Sequence, residues 1–269
     1  MKVRVITAIV GIIAVLALVW LGSWFLTGAV LIVSLIALAE YDRMLKNISI
    51  HIYTIPAGLG MAIMIGAAGF YSLKILMAAL LLCFCLMLFL ILFIKKENMT
   101  NIIYSAFGMI YFGLGFGTLA YLRGCHELLP AGAVNIDPGI FLILFALVCT
   151  WASDSFAYLA GKRFGRHKMA PHISPNKTME GLAGGAFGCV ILGLALAAGF
   201  QFNLLQGFIL SIVSAVMAPM GDLFESYVKR ACDIKDSGNI LPGHGGMMDR
   251  FDSLLFVAPC LAALLAIFH

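Results

Sequence analysis

Apolar residues fill this chain in long unbroken runs, and polar residues gather in the stretches between them. A helix that crosses a bilayer needs about 20 mostly apolar residues. By that measure nine helices are predicted, over roughly 4–21, 23–44, 53–71, 73–94, 102–122, 139–160, 178–200, 204–228 and 250–268. The runs are continuous rather than alternating, which excludes the two-residue period of a membrane β-barrel. The expected fold class is therefore all-α, a polytopic integral membrane protein of about nine transmembrane helices forming one transmembrane domain over 1–269. No internal repeat is visible, so the inverted halves of many transporters are missing.

Composition agrees with the pattern. The chain is 62% hydrophobic and 11% charged, with a mean hydropathy of +1.04, whereas a soluble domain carries about 25% charged residues. The net charge of +4 is small, and its placement says more than its size. With nine spans and a cytoplasmic N-terminus, fifteen of the seventeen Lys and Arg fall on the cytoplasmic side, leaving only Lys74 and Arg123 opposite. That is the asymmetry of the positive-inside rule, and it predicts a multi-pass protein of the cell inner (cytoplasmic) membrane with an external C-terminus. Lys2 and Arg4 precede the first apolar run, but no small-residue cleavage pattern follows, so that run reads as a retained span. The seven cysteines form no Cys-x-x-Cys pair and mostly sit in apolar runs as small hydrophobes. No nucleic-acid partner is expected.

The two richest polar loops, 161–177 and 229–249, share the cytoplasmic face in this topology. Acidic residues stand near them in unusual places: Asp154 inside the sixth span, Glu180 opening the seventh, and Asp222 and Glu225 in the eighth. A carboxylate at mid-membrane costs roughly 2.5–3.5 kcal/mol on insertion scales, so four on one side imply a polar cavity open to the cytoplasm. Asp222, Glu225, Ser226 and Lys229 lie on one helical face. A Glu225–Lys229 pair explains two of them as a solvated helix end; Asp222, a turn deeper, has no basic neighbour at helical spacing. A hard cation held between Asp222 and Asp249 or Asp252 would explain it.

The stretch Ser226–Asp252 reads SYVKRACDIKDSGNILPGHGGMMDRFD. It combines cations, carboxylates and the run Gly243-His244-Gly245-Gly246, what a metal-bound polyphosphate needs, although Gly and Pro alone equally mark a plain turn. A P-loop is absent, since Gly161-Lys162-Arg163 lacks the upstream glycine and the hydroxyl. Gly113, Gly115 and Gly117, and the small residues of Gly181–Gly188, read as helix-packing surfaces.

This stretch resembles the signature of the phosphatidate cytidylyltransferases (CDP-diacylglycerol synthases), with every defined position filled. A second resemblance is Asp154-Ser155-Phe156-Ala157-Tyr158 followed by Ser174-Pro175-Asn176-Lys177-Thr178-Met179-Glu180-Gly181, where the family usually has a basic residue in place of Asn176. The resemblance covers at least 151–269, and the first 150 residues resemble the family only as apolar spans. It implies transfer of CMP from CTP to phosphatidic acid with Mg²⁺, giving CDP-diacylglycerol and pyrophosphate, and a homodimer in the bilayer. On this reading 139–269 is the catalytic part and 1–138 a helical part. Asp222 and Asp249 are expected as metal ligands, with K⁺ a candidate second cation. Lys229, Arg230, Lys235 and Arg250 are expected to neutralise phosphates. Asp252 is expected behind the ligands, and His244 with Gly243, Gly245 and Gly246 at the pyrophosphate. Lys177 and Ser174 are expected to hold the lipid phosphate.

Three rival readings would leave different marks on the sequence or the products. A CDP-alcohol phosphatidyltransferase would carry Asp-Gly-x2-Ala-Arg followed by Gly-x3-Asp-x3-Asp, which this chain lacks. A CTP-using polyprenol kinase would release CDP. An ion-coupled transporter would place Asp154 and Asp222 on its pathway and would be favoured by broken inverted repeats.

Overall fold

The computed structural model describes residues 2–70, 72–92, 99–124, 129, 134–238, 240 and 245–268. Among the described residues ten helices appear: α1 (Lys2–Leu21), α2 (Ser23–Lys46), α3 (Thr54–Ala68), α4 (Leu73–Leu92), α5 (Met99–Gly124), α6 (Pro138–Phe164), α7 (Met179–Gly199), α8 (Leu204–Ala231), α9 (Met248–Phe251) and α10 (Leu254–Phe268). Among the described residues six helices are long and apolar enough to cross a membrane, and Ile9–Leu21, Thr54–Ala68 and Leu254–Phe268 form shorter apolar helices. The protein is thus a mainly helical, multi-pass membrane protein. The expected ninth span, 250–268, is not one helix: the chain turns at Asp252-Ser253 between α9 and α10. Residues 161–177, expected as a loop, contain an antiparallel hairpin of β1 (Lys168–Ala170) and β2 (Ser174–Thr178).

The chain divides into two compact units. The first comprises Met1–Gly124 with Lys229–Phe251, so the signature stretch returns to the N-terminal helices. Here α5 packs on α2 and α3 along a face of small residues. A Cβ at Gly108 would lie 2.9 Å from the Tyr41 ring, and one at Gly113 2.7 Å from the Met64 sulfur, so these glycines let the helices close. Tyr41, Phe112 and Phe116 continue an aromatic row to Phe251 of α9, whose ring centroid is 5.4 Å from that of Phe116. Arg123, expected on the outer face, is buried and donates through Nε to the Val19 carbonyl at 2.7 Å, a cation meeting the last turn of α1.

The second unit comprises Cys125–Val228 and Asp252–His269. Asp137 caps α6, its Oδ1 accepting from the N–H groups of Gly139 (2.8 Å) and Ile140 (3.2 Å), with Pro138 opening the helix. Thr178 caps α7 through Gly181. The small residues of α7 do pack as the sequence implies: a Cβ at Gly185 would sit 2.7 Å from the Ser153 carbonyl, and those at Gly184 and Gly188 would strike Ala160 and Phe156 of α6. Glu180 fastens the hairpin to the start of α7. Its carboxylate accepts from the N–H of Arg166 at 3.0 Å and of His167 at 3.2 Å, with His167 Nδ1 at 2.6 Å.

Candidate active site

In the second unit, one oxygen from each of Asp222, Glu225 and Asp252 lies within 4.8 Å of the others. Helical spacing places Asp222 and Glu225 on one face of α8. A glycine brings Asp252 to them. A Cβ at Gly221 would lie 2.5 Å from the Asp252 carbonyl oxygen, so α8 meets the 252–253 turn only because that atom is missing. Phe224 and Phe256 hold the same contact, with centroids 5.5 Å apart. Three carboxylate oxygens this close repel one another unless a cation or a proton joins them.

Asp222 also has a partner that helical spacing did not reveal. Lys177 of β2 reaches it, Nζ to Oδ2 at 2.6 Å, and Ser226 Oγ stands 3.4 Å from Oδ1. Beside this pair lies a recess of about 510 Å³ whose lining includes Asp154, Lys162, Ser174, Asn176, Lys177 and Asp222. Ser174 and Lys177, expected at one phosphate, therefore line one recess with Asp222.

In the first unit, residues from Lys229 to Asp249 form a network centred on Asp249. Its Oδ1 accepts from Lys229 Nζ at 2.5 Å, the two side chains being only 9% and 12% exposed. Its Oδ2 accepts from the N–H groups of Gly246 (2.8 Å) and Ser237 (3.1 Å) and from Ser237 Oγ (2.9 Å). Gly245 and Gly246 have a reason in the fold itself. Gly245 has φ +81°, and a Cβ there would sit 2.6 Å from Asp249 Oδ2; one at Gly246 would meet Ser237 and Glu40. The Gly246 N–H is thus already directed at a carboxylate. Arg230 donates to the Ile234 carbonyl at 2.9 Å, while Lys235 and Arg250 are exposed. Gly243 and His244 lie outside the described residues. Cys232 is buried, and burial first, then the charge of Asp233, pushes its thiol up, in keeping with a small hydrophobe rather than a nucleophile.

One residue of this network escaped the sequence reading. Glu40 of α2 is fully buried and accepts from the N–H groups of Met247 and Met248. Its signal was a carboxylate inside an apolar span, masked by the polar neighbours Asp42 and Arg43.

A helical membrane fold with clustered carboxylates and cations suits chemistry on phosphate esters at a membrane, and similarity to known proteins gives the family. Residues 2–268 match the cytidylyltransferase family, and the chain belongs to it. It is 34% identical over 286 residues to phosphatidate cytidylyltransferase of Bacillus subtilis (strain 168), covering 100% of this chain and 98% of that protein. It is 35% identical over 270 residues to phosphatidate cytidylyltransferase of Staphylococcus aureus (strain COL), covering 98% of this chain and 99% of that protein. The protein so named in Staphylococcus saprophyticus is 34% identical over the same length.

Proposed function

We propose that this chain is a phosphatidate cytidylyltransferase, a nucleotidyltransferase of phospholipid biosynthesis that takes CTP and phosphatidic acid to CDP-diacylglycerol and pyrophosphate. The observation that carries this is the full-length match to relatives of that name, joined to a signature filled from Ser226 to Asp252. An oxygen of the phosphatidate phosphate bonds to the α-phosphorus of CTP, and the bond from that phosphorus to the bridging oxygen breaks, with pyrophosphate leaving. The attacking oxygen is already anionic, so no strong base is required. The task is to bring two anions together and spread the charge that develops, which cations and oriented donors do.

The donor set fits a hard divalent cation: three carboxylate oxygens within 4.8 Å, one on Asp222. Asp222 would hold Mg²⁺ with Glu225 and Asp252 beside it, and the signature adds Asp249 as a ligand and K⁺ as a second cation. When bound, the metal neutralises phosphate charge. Lys229, Arg230, Lys235 and Arg250 would neutralise the CTP phosphates, with Gly243, His244, Gly245 and Gly246 beside the pyrophosphate. Ser174 and Lys177, which line the recess with Asp222, would hold the lipid phosphate. Nine spans, an active cavity open to the cytoplasm and the inner membrane complete the reading, supported by the basic asymmetry of the loops, and the family resemblance adds a homodimer.

The deciding experiment supplies purified protein with labelled CTP and phosphatidate in mixed micelles, with and without Mg²⁺. Labelled CDP-diacylglycerol and pyrophosphate are expected; release of CDP would instead make it a kinase. Asp222→Asn, Asp249→Asn and Asp252→Asn then separate the carboxylates. A ligand variant should shift the Mg²⁺ dependence of kcat, and a variant that leaves it unchanged removes that residue from the metal.

A further inference from the structure

Glu40 shows no solvent exposure, although it is a carboxylate in α2. A buried carboxylate is tolerated only where donors surround it. Its partners lie 197 to 208 residues away, all in the signature stretch. Oε1 accepts from the Met247 N–H at 2.9 Å; Oε2 accepts from the Met248 N–H at 2.9 Å and lies 3.3 Å from Ser237 Oγ. Two glycines make room for it: a Cβ at Gly238 or at Gly246 would come within 2.6 Å of its oxygens. Asp42, two residues along the same helix, pairs locally with Lys46 at 2.6 Å.

The same Ser237 hydroxyl lies 2.9 Å from Asp249 Oδ2. A hydroxyl carries one proton and donates to one carboxylate at a time, so Ser237 links Glu40 to the Asp249–Lys229 pair. Glu40 thus holds Ser237, Met247 and Met248, the last directly before Asp249. We infer that Glu40 is a positioning residue for the cytidylyl transfer: one α2 carboxylate fixes Ser237 and Met247-Met248 so that Lys229, Asp249 and the Gly245-Gly246 backbone keep one arrangement. This rests on the cytidylyltransferase reading and gives the N-terminal helices a part in the reaction beyond embedding.

The test compares the full-length protein with Glu40→Gln, Glu40→Asp, Ser237→Ala and the control Asp42→Asn. Gln keeps the shape but offers one acceptor oxygen, and its amide must turn a donor toward a donor. Outer partners of liganding groups are worth about 10–100-fold in activity. Glu40→Gln should therefore lower kcat/KM for CTP by about that factor, with KM for phosphatidate within about twofold. Glu40→Asp, which keeps both oxygens, should regain part of the loss. Hydrogen exchange at the Met247 and Met248 amides should quicken by about tenfold or more in Glu40→Gln and stay unchanged in Asp42→Asn. Wild-type exchange at these amides in Glu40→Gln, or activity lost only in proportion to folded protein, would overturn the inference. If Glu40→Gln does not fold, Ser237→Ala decides. It removes only the linking hydroxyl and should cost several-fold in kcat/KM, and wild-type kinetics there would count against the linkage. If the wild type makes no CDP-diacylglycerol, the proposed function fails, while the exchange experiment still judges the anchoring.

Discussion

The Lys229–Asp249 pair allows stability and activity to be separated by mutation. At 2.5 Å and with side chains 12% and 9% exposed, the charges attract by about 6–7 kcal/mol at an effective dielectric of about 20. The desolvation of both ions offsets most of that, so the pair as a whole stabilises little, while removing one partner costs about 3–5 kcal/mol. Asp249→Asn should cost that much, because the amide takes the carboxylate away from the buried ammonium and offers one acceptor oxygen where there were two. At 2–4 °C per kcal/mol for a chain of this size, the apparent thermal midpoint should fall by about 10 °C. Lys229→Met alone should cost less, since Asp249 keeps the N–H groups of Gly246 and Ser237 and the Ser237 hydroxyl. In the double variant Lys229→Met/Asp249→Asn no charge remains to be compensated, and the Asn oxygen still accepts from the two N–H groups. Its midpoint should return to within a few degrees of wild type, the signature of coupled sites, while CDP-diacylglycerol formation should stay lost, because the proposed site uses Lys229 at a phosphate and Asp249 at the metal. The assay is thermal unfolding in detergent beside the labelled-CTP reaction. Midpoints that simply add, or an Asp249→Asn midpoint equal to wild type, would show that the pair is not buried as described.

Further outcomes are expected elsewhere in the molecule. Lys177→Ala should raise KM for phosphatidate more than for CTP and, because Lys177 faces Asp222, should also shift the Mg²⁺ dependence; equal effects on both substrates would remove it from the lipid phosphate. Gly188→Leu should separate α6 from α7 at Phe156 and cost about 1–3 kcal/mol of overpacking, read as a lower thermal midpoint, whereas Gly11→Leu, with open space around it, should be neutral. A reporter fused after His269 should behave as external and one inserted in 161–177 as cytoplasmic; the reverse would overturn the count of nine spans.

The apolar runs determined by themselves that the chain is helical and membrane-embedded, because the bilayer demands a minimum apolar length whatever else the helix touches. The filled signature at 226–252 fixed the family, and helical spacing alone put Asp222 and Glu225 on one face. What local spacing could not tell is which charge meets which across helices. Lys229 pairs with Asp249 at a separation of 20, and Asp222 meets a lysine of a hairpin that no periodicity announced. The break at Asp252-Ser253 was hidden in the same way, inside a run apolar enough to read as one span. Glu40 is the extreme case, a carboxylate whose donors lie about 200 residues ahead. Such pairings follow from how closely helices approach, and that closeness is set by missing atoms: the absent side chains of Gly221, Gly238 and Gly246 admit Asp252 and Glu40. A glycine in a sequence shows that room exists, and only the tertiary structure decides which group takes it.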